Sequence, residues 1–250
     1  MFPDYKDIFN ARGIDYHQAM MEYPLARQLE FKNIISISDL EDNQTVGDLP
    51  SGGCYLNNFV KKKVKTISVE TSVEFARNAK ESENNLTITC EDISKIPLLS
   101  ETLDRAISLA GSHHLPSQPA FYREVHRLLK PGGLFCLADV REGSGVDGFL
   151  NVFVDRYNSM GHQGEFLNQN TTIELEAAGF EILYASPIPY TWNFNSVEEM
   201  AYFCKRLFYI DRATEQQVIE AIEQYLGYQV SENQCRMNWE LFFFKALKKE

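Results

Sequence analysis

The segment that decides the fold covers residues 121–140 and reads FYREVHRLLKPGGLFCLADV. Its first half predicts a helix, because apolar residues recur at i, i+4, i+7 and i+8 from Phe121 onward and so share one helical face. Pro131 and the two glycines after it end that helix, since proline cannot continue it and glycine is favoured where a helix stops. The apolar run LFCLADV that follows predicts a buried strand.

Four earlier apolar runs predict further strands, at residues 45–49, 64–69, 86–90 and 106–110. They are apolar along almost their whole length, which is typical of strands that helices cover on both faces. A helix is predicted between the second and third runs, because Thr71 and Glu74 have the spacing of a capping box. Strands that alternate with helices predict an α/β fold with a Rossmann-like, doubly wound and mostly parallel sheet.

The two ends of the chain add helices around this sheet. The N-terminal segment is predicted to be helical, with an interruption at Pro24. In the second half, helices are predicted at residues 149–160, 171–178, 196–210 and 214–226, and strands at residues 181–185 and 239–247. Capping patterns predict the starts of the last three helices, with the pairs Thr171/Glu174, Ser196/Glu199 and Thr214/Gln217. The sheet then has seven strands, and the helix pair between the last two strands predicts a cap over the ligand-binding edge.

Composition and charge exclude several classes of protein. The chain has 250 residues, 44% of them hydrophobic, which is enough to bury one large core. Its 24 basic and 35 acidic residues give a net charge of −11, which disfavours binding to nucleic-acid phosphates. The basic run KKKVK at residues 61–65 is interpreted as a solvated face.

Location is predicted from what the sequence lacks. No run approaches the roughly 20 apolar residues of a membrane span, and the N-terminus has no apolar signal-peptide core. The five cysteines are scattered without a CxxC pair, which is neither a disulfide framework nor a zinc signature. These features predict a cytoplasmic protein with reduced thiols.

Acidic and glycine residues follow the predicted strands at the edge where doubly wound sheets bind ligands. After the first strand, Gly52 and Gly53 can adopt positive φ and let the backbone approach a ligand closely. Glu70 ends the second strand, 22 residues after Asp48, an interval typical of an acid that binds ribose hydroxyls. Asp92 follows the third strand and could accept a hydrogen bond from an adenine amino group.

The sequence resembles the class I S-adenosylmethionine-dependent methyltransferases, in the small-molecule branch related to the ubiquinone methyltransferases. Residues 121–140 resemble the family's helix–KPGG–strand segment, and DRAISLAGSHHLP at residues 104–116 resembles its fourth strand and the turn after it. Residues 48–56, 68–71 (SVET) and 90–97 (CEDISKIP) resemble the first three cofactor-contacting segments. The resemblance covers about residues 45–187, returns at the last strand, and implies S-adenosylmethionine as cofactor with S-adenosylhomocysteine as product.

The resemblance also implies which residues bind the cofactor. These are Asp48, Gly52 and Gly53 at the methionine end, Glu70 at the ribose, Asp92 and Ile93 at the adenine, and Ala110 and Gly111 beside the sulfonium. Arg27 belongs to an N-terminal segment that often folds over the cofactor in related enzymes, and it could pair with the cofactor carboxylate.

One domain is predicted over residues 1–250. Its parts are an N-terminal helical segment (1–44), a cofactor-binding half (45–140), cap or substrate segments (141–170 and 188–236), and a closing helix and strands (171–187 and 237–250).

The first turn departs from the family pattern D-x-G-x-G-x-G. Its three glycine positions hold Pro50, Gly52 and Cys54 in this chain. Because proline fixes φ and has no N–H, this part of the loop is expected to follow a different path. Gly53 is expected to supply the freedom that position 54 lacks.

The reaction implied is an in-line displacement at the sulfonium methyl group, in which the protein aligns the acceptor and excludes water. A base helps when the acceptor is a hydroxyl or an acidic carbon. His113, with His114 beside it after the fourth strand, is the predicted base or orienting group; the alternative is a turn residue that packs on the sheet. His162 lies either in a movable loop over the site or at the surface.

No cluster of metal ligands is apparent in the sequence, so no metal is predicted.

The predicted cap is rich in aromatic residues, and the run YTWNF at residues 190–194 favours an apolar pocket. The predicted acceptor is therefore a small hydrophobic or aromatic metabolite. No nucleic-acid or membrane partner is predicted, and a homodimer is allowed.

Two alternatives stay open: non-methyl chemistry such as a rearrangement or cyclisation, and a regulatory or partner-binding role without catalysis. A nicotinamide dehydrogenase is disfavoured, because no G-x-G-x-x-G follows the first strand.

Overall fold

The computed structural model describes residues 5–77 and 84–249. Its strands are β1 (Thr45–Asp48), β2 (Lys65–Glu70), β3 (Asn85–Thr89), β4 (Leu103–Leu109), β5 (Leu129–Asp139), β6 (Phe180–Phe194), β7 (Tyr228–Ser231) and β8 (Gln234–Lys248). They form one sheet in the order β3-β2-β1-β4-β5-β8-β6, with β7 paired to β8. The first five strands are parallel, whereas β8 is antiparallel to β5, β6 and β7. The predicted Rossmann-like sheet is confirmed, and the short strand β7 adds to the seven that were predicted.

Helices pack around this sheet. They are α1 (Tyr5–Glu22), α2 (Gln28–Ile37), α3 (Val73–Ala76), α4 (Gln118–Leu128), α5 (Gly145–Asp147), α6 (Asp155–Tyr157), α7 (Thr171–Ala177), α8 (Val197–Leu207) and α9 (Glu215–Tyr225). A π-helical segment, Gly148–Val154, joins α5 to α6, so the helix predicted at residues 149–160 begins and ends a few residues earlier. The predicted break at Pro24 lies between α1 and α2.

Burial on both faces of the central strands explains why they are so apolar. Cys136 and Ala138 of β5 pack into the core that includes Phe31 of α2, whereas Phe135 and Leu137 pack into the core that includes α4. Polar side chains can therefore reach an open space only where these strands end. The edge strand β3 differs from the prediction, because it is half-exposed along its length.

The helix starts confirm some predicted caps and correct others. Thr214 and Gln217 form the expected capping box at α9, and the Ser196 side chain accepts a hydrogen bond from the Glu199 N–H at α8. At α3, the N-cap is Ser72 and not Thr71, because the Ser72 hydroxyl accepts from the Phe75 N–H. The sequence pattern predicts a helix to about residue 80, but α3 ends at Ala76, and residues 78–83 lie outside the described residues.

At α7, the prediction of a Thr171 capping box is wrong. The Thr171 hydroxyl accepts from the Asn168 N–H in the loop before the helix, at 3.0 Å, and the N-cap position is occupied by Asn170.

Two strands are longer than the sequence pattern predicted. The PGG segment at residues 131–133 belongs to β5 and does not form a separate turn, and the pairing of β4 with β5 shifts register beside it. Strand β6 has 15 residues, so the aromatic run at residues 190–194 forms its last part. Residues 190–194 lie beyond the strand predicted at residues 181–185. They are extended because they pair with β8, which is equally long.

The cap lies over the carboxyl-terminal edge of the parallel strands. Helix α1 packs against α8, and the Asn193 N–H in β6 donates to the Ala26 carbonyl before α2 at 3.1 Å. Trp192 and Trp239 stack beneath these helices with ring centroids 4.1 Å apart. None of the helices within residues 5–77 and 84–249 has the length and apolar character required to cross a membrane.

Phe243 tests whether β8 carries the core of the sheet. Its side chain is fully buried, so Phe243→Ala is expected to lower the free energy of unfolding by about 3–5 kcal/mol. Val230 in β7 is 62% exposed, and Val230→Ala is the matched control, with an expected change within about 0.5 kcal/mol. Urea unfolding of both variants measures the difference, and equal losses would contradict this account of the core.

Candidate active site

Two buried carboxylates mark the ends of β1 and β2. Asp48 and Glu70 are both fully or almost fully buried, and the Ser51 hydroxyl donates to Glu70 Oε1 at 3.1 Å. Burial, and then the negative charge of Glu70, raises the pKa of Asp48 well above its usual value. Asp48 Oδ2 is buried and accepts no hydrogen bond from any residue that the structure describes. A buried oxygen of this kind calls for a donor from outside the chain.

The loop between these acids follows the altered path that Pro50 predicts. The Leu49–Pro50 peptide bond is cis, and Gly52 and Gly53 both have positive φ. Cys54 also adopts the left-handed conformation, at φ 65°, so the backbone keeps a glycine-type geometry at this position without glycine. Gly53 was predicted to supply the positive-φ conformation in place of position 54. The structure shows instead that both Gly53 and Cys54 adopt positive φ.

Pro50 packs directly on the end of β4. A Cβ atom added at Gly111 would lie 2.9 Å from Pro50 Cγ, which is closer than side chains normally approach. Gly52 faces open space, because a Cβ added there would meet nothing within 4 Å. The loop is thus open at Gly52 and closed against Gly111.

A cavity of about 230 Å³ lies beside the ends of β2 and β3. Asp92 and Ile93 line it together with Thr71 and Leu115. The Ser94 hydroxyl and N–H both donate to Asp92 Oδ1, at 2.6 and 2.9 Å, and these bonds lower the pKa of Asp92. The carboxylate is therefore ionised and able to accept a further hydrogen bond from a ligand in this cavity.

Asp139, at the end of β5, is a site residue that the sequence reading did not identify. Its carboxylate accepts from the Ser112 hydroxyl at 2.6 Å, the His113 N–H at 3.1 Å and the Val140 N–H at 2.8 Å, and His113 Nδ1 lies 2.6 Å from Asp139 Oδ1. Burial raises the pKa of Asp139, but His113 and these hydrogen bonds outweigh burial and lower it. The sequence does contain a sign of its role, because Asp139 is the only acidic residue in the otherwise apolar run LFCLADV.

The Asp139 bonds fix the segment after β4. Ala110 has a positive φ and its N–H donates to Ala138, and residues 112–114 then form a 3-10 turn. Asp139 holds His113 Nδ1, so the opposite ring nitrogen, Nε2, is the one available for chemistry. The sequence allowed His113 to be either a base or a turn residue that packs on the sheet. In the structure it is packed in the turn and is also oriented by a carboxylate.

His162 is buried and lies beside the two histidines of this turn. Its ring centroid is 5.7 Å from that of His113 and 5.1 Å from that of His114. His162 Nδ1 lies 3.1 Å from Asn151 Oδ1 in the π-helical segment. Burial, followed by the charge of His113, lowers the pKa of both His114 and His162 well below the usual value, which favours their neutral forms. The surface-loop interpretation of His162 is wrong, because residues 151–166 fold back onto the turn.

One potential ligand atom of each of these three histidines lies within 4.8 Å of the others. The sequence predicted no metal-ligand cluster, because His162 lies 49 positions after His113 and sequence spacing gives no sign that the two meet.

A small cavity of about 50 Å³ adjoins the three histidines. Its apolar lining includes Leu150, Trp192, Phe208, Trp239 and Leu241, and Ala110 also lines it.

Arg27 reaches this cavity but already has partners. Its buried guanidinium forms an ion pair with Glu30 and donates to the Tyr16 hydroxyl, and Trp192 Nε1 donates to Glu30 Oε2 at 2.9 Å. Burial opposes the Arg27 charge, but Glu30 and Tyr16 outweigh burial and raise the pKa of Arg27. The pair leaves no net charge facing the cavity, so pairing with a cofactor carboxylate, as the sequence suggested, requires competition with Glu30.

Residues 48–137 match the family model described as a methyltransferase domain. In structure, the chain is similar to an S-adenosylmethionine-dependent methyltransferase from Thermotoga maritima, with a TM-score of 0.65 and 15% identity over 98% of this chain and 100% of that one. The fold is that of class I methyltransferases. This methyltransferase fold extends beyond the matched domain to the cap and the last strands.

Other proteins with the methyltransferase fold differ in what they do. A phosphoethanolamine N-methyltransferase 2 from Haemonchus contortus, solved with S-adenosylhomocysteine, has a TM-score of 0.61 and 14% identity over 99% of this chain and 61% of that one. The cyclase SpnF has a TM-score of 0.58 and 16% identity over 89% of this chain and 80% of that one. Structural similarity at this level of identity shows the fold alone.

Curated relatives match over shorter segments. A phthiotriol/phenolphthiotriol dimycocerosates methyltransferase of Mycobacterium leprae is 38% identical over 22% of this chain and 20% of its own length. The sterol methyltransferase-like 1 of Botryococcus braunii is 28% identical over 36% of this chain and 23% of its own length. The matched segments thus span about a fifth of the curated relatives. Together these findings show a match to a methyltransferase domain at residues 48–137, within a methyltransferase fold that covers nearly the whole chain.

The contact between Pro50 and Gly111 can be tested by a double-mutant cycle. Gly111→Ala is expected to lower the free energy of unfolding by about 1–3 kcal/mol, because the added methyl group meets the proline ring. Pro50→Gly removes that ring, so Gly111→Ala should cost less in the Pro50→Gly background. Urea unfolding of the four proteins measures the coupling, and strictly additive effects would show that the two residues do not restrict each other.

Proposed function

We propose that this protein transfers a methyl group from S-adenosylmethionine to a small, largely apolar or aromatic acceptor. The observation that carries the proposal is the position of the His113–Asp139 pair, beside Ala110 and next to an apolar cavity. The methyltransferase domain match over residues 48–137 supports the reaction type.

The residues at the strand ends fit the cofactor. Asp48 has a buried oxygen that lacks a donor, and the cofactor amino group is a donor of the required kind. Glu70 ends β2 and would accept from the ribose hydroxyls, while Asp92 and Ile93 line a cavity that would hold the adenine. Gly52 faces open space that would hold the methionine end, and Ala110 and Gly111 are proposed to lie beside the sulfonium.

When bound, the cofactor supplies an electrophilic methyl group on a sulfonium that is a good leaving group. The protein then has to align the acceptor, exclude water and receive a proton. His113 Nε2 accepts that proton in the proposed mechanism. Asp139 is a positioning residue: it holds Nδ1 of the ring and stabilises the imidazolium that forms. Since His162 lies beside His113, its proposed role is to orient the acceptor.

The acceptor is proposed from the walls of the cavity. Trp192, Phe208 and Trp239 form an apolar stack, and the Arg27–Glu30 pair adds no net charge. Two curated relatives are named for methylation of sterols and of phthiotriol/phenolphthiotriol dimycocerosates. The cavity of about 50 Å³ has room for only one or two water molecules, so a larger acceptor must displace side chains of the cap.

The packing of Pro50 on Gly111 favours one second candidate, an enzyme that uses the bound sulfonium for a rearrangement or cyclisation. The Pro50 ring narrows the space beside Gly111, at the end of β4. The cyclase SpnF has the same fold. Formation of S-adenosylhomocysteine separates the two: methyl transfer releases it in equal amount to product, whereas cyclisation releases none.

The ubiquinone-methyltransferase branch, the cytoplasmic location, the homodimer and the absence of nucleic-acid and membrane partners stay predictions from the sequence. A non-catalytic role stays the third reading, and it predicts cofactor binding without turnover on any acceptor.

Glu70 tests the cofactor site. Glu70→Ala is expected to weaken binding of S-adenosylhomocysteine by roughly 5- to 150-fold, which corresponds to about 1–3 kcal/mol of lost hydrogen bonds to a charged group. Isothermal titration calorimetry measures the change. Glu176→Ala, on the exposed face of α7, is the matched control and should bind as the parent protein does. Equal affinity of the Glu70 variant would remove Glu70 from the site.

His113 tests the mechanism. His113→Asn is expected to lower kcat by about 10²–10⁴-fold, the usual contribution of a general base, while affinity for S-adenosylhomocysteine stays within about threefold. The readout is S-adenosylhomocysteine release with an acceptor found by screening. His126→Asn, on the partly exposed side of α4, is the control for loss of a histidine. A His113 variant with full kcat would assign proton removal to another group or to solvent.

A further inference from the structure

We infer that His113, His114 and His162 form a binding site for a divalent transition-metal ion of the Zn²⁺ type. The inference rests on the arrangement of the three imidazoles and on the groups that hold them, and it does not depend on the proposed methyl transfer.

The three rings are close enough to share one ion. One potential ligand atom of each lies within 4.8 Å of the others, and the His113 and His114 ring centroids are 4.1 Å apart. Zinc–nitrogen bonds of about 2.0–2.1 Å in a tetrahedral site place two ligand nitrogens about 3.4 Å apart. The nitrogens therefore have to approach by about 1.4 Å at most to share one ion.

The groups behind the rings provide the second, independent observation. Asp139 Oδ1 lies 2.6 Å from His113 Nδ1, and Asn151 Oδ1 lies 3.1 Å from His162 Nδ1. Each oxygen fixes the tautomer that carries a proton on Nδ1 and directs the lone pair of Nε2 away from it. A carboxylate or carbonyl oxygen on the far nitrogen is the usual support of a metal-binding histidine.

Charge and enclosure are compatible with a bound cation. The Asp139 carboxylate contacts His113 and supplies one negative charge directly behind the ligand set. Arg12 is the cation that faces His114 and His162, and it opposes an ion there. The charge of Arg27 is compensated by Glu30. The adjoining cavity of about 50 Å³ has room for an ion and one bound water molecule.

The ligand set selects the class of metal. Three imidazole ligands suit Zn²⁺, Co²⁺, Ni²⁺ and Cu²⁺, whereas Mg²⁺ and Ca²⁺ prefer oxygen ligands. With three protein ligands, the fourth position stays open to water or to a ligand oxygen, as in catalytic zinc sites.

A bound ion changes what His113 can do. The Nε2 lone pair can either bind the metal or accept a proton, so the two uses exclude each other at any moment. If His113 is the base of methyl transfer, Zn²⁺ is therefore an inhibitor of that reaction, and the site makes turnover sensitive to free zinc. This consequence rests on the proposed function, whereas metal binding itself does not.

The test uses metal-stripped full-length protein with neither cofactor nor acceptor. Titration with Co²⁺ is expected to produce the visible absorption bands of a four-coordinate site with a stoichiometry of about one, and Zn²⁺ should displace the Co²⁺. His162→Gln removes one ligand without altering His113, and it is expected to weaken binding by about tenfold or more. His126→Gln is the matched control, because His126 lies on α4 away from the cluster, and it should bind as the parent protein does.

Two further measurements keep the result interpretable. Thermal unfolding followed by circular dichroism shows whether His162→Gln is folded, and His114→Gln serves as a second ligand variant if it is not. Equal Co²⁺ binding by the parent protein and both folded ligand variants, or loss of binding in His126→Gln alone, would overturn the inference, as would no visible bands in the parent protein. Failure of S-adenosylhomocysteine titration leaves this result unchanged, so the two proposals fail separately.

Discussion

The buried carboxylate of Asp139 is the interaction on which the rest of the site depends. A charge without water must be stabilised by hydrogen bonds, and leaving it uncompensated costs several kcal/mol. Here Ser112, His113 and Val140 supply those bonds, and they join the ends of β4 and β5. The turn at residues 112–114 cannot move without breaking them. The orientation of His113, and through it the contacts with His114 and His162, follows from this one requirement.

The opposite side of the site has one buried acceptor, Asp48 Oδ2, that receives no hydrogen bond from the residues that the structure describes. Asp48 and Glu70 are buried close enough for the charge of one to raise the pKa of the other, and the loop between them closes on Gly111 through Pro50. A protein would not gain stability from such a pair alone. A ligand with an amino group would supply a donor for Asp48, which is why the altered loop remains compatible with S-adenosylmethionine even though it lacks two of the family's glycines.

Between these two polar sides lies a cap whose interior is apolar and uncharged overall. Arg27 and Glu30 neutralise each other, and Trp192 donates to Glu30 while stacking on Trp239. The cap therefore presents an apolar, charge-compensated lining and the neutral forms of His114 and His162. The same arrangement suits an apolar acceptor with one ionisable group and an ion that binds imidazole. The chemistry of the site is decided by which of the two occupies His113 Nε2.

The sequence by itself determined the parallel sheet and most cofactor candidates, because hydrophobic periodicity, caps and acids at strand ends are local signals. The run LFCLADV predicted β5, and Asp48, Glu70 and Asp92 all lie at the expected edge. Long-range pairing decided the rest. Strand β6 extends through residues 190–194 only because β8 pairs with it, and His162 becomes buried only when its loop folds onto a turn 49 residues earlier. Tertiary structure alone decided the β6–β8 pairing and the burial of His162. The free energy of burying a polar group depends on its hydrogen-bond partners, and the spacing of residues in the sequence does not reveal those partners.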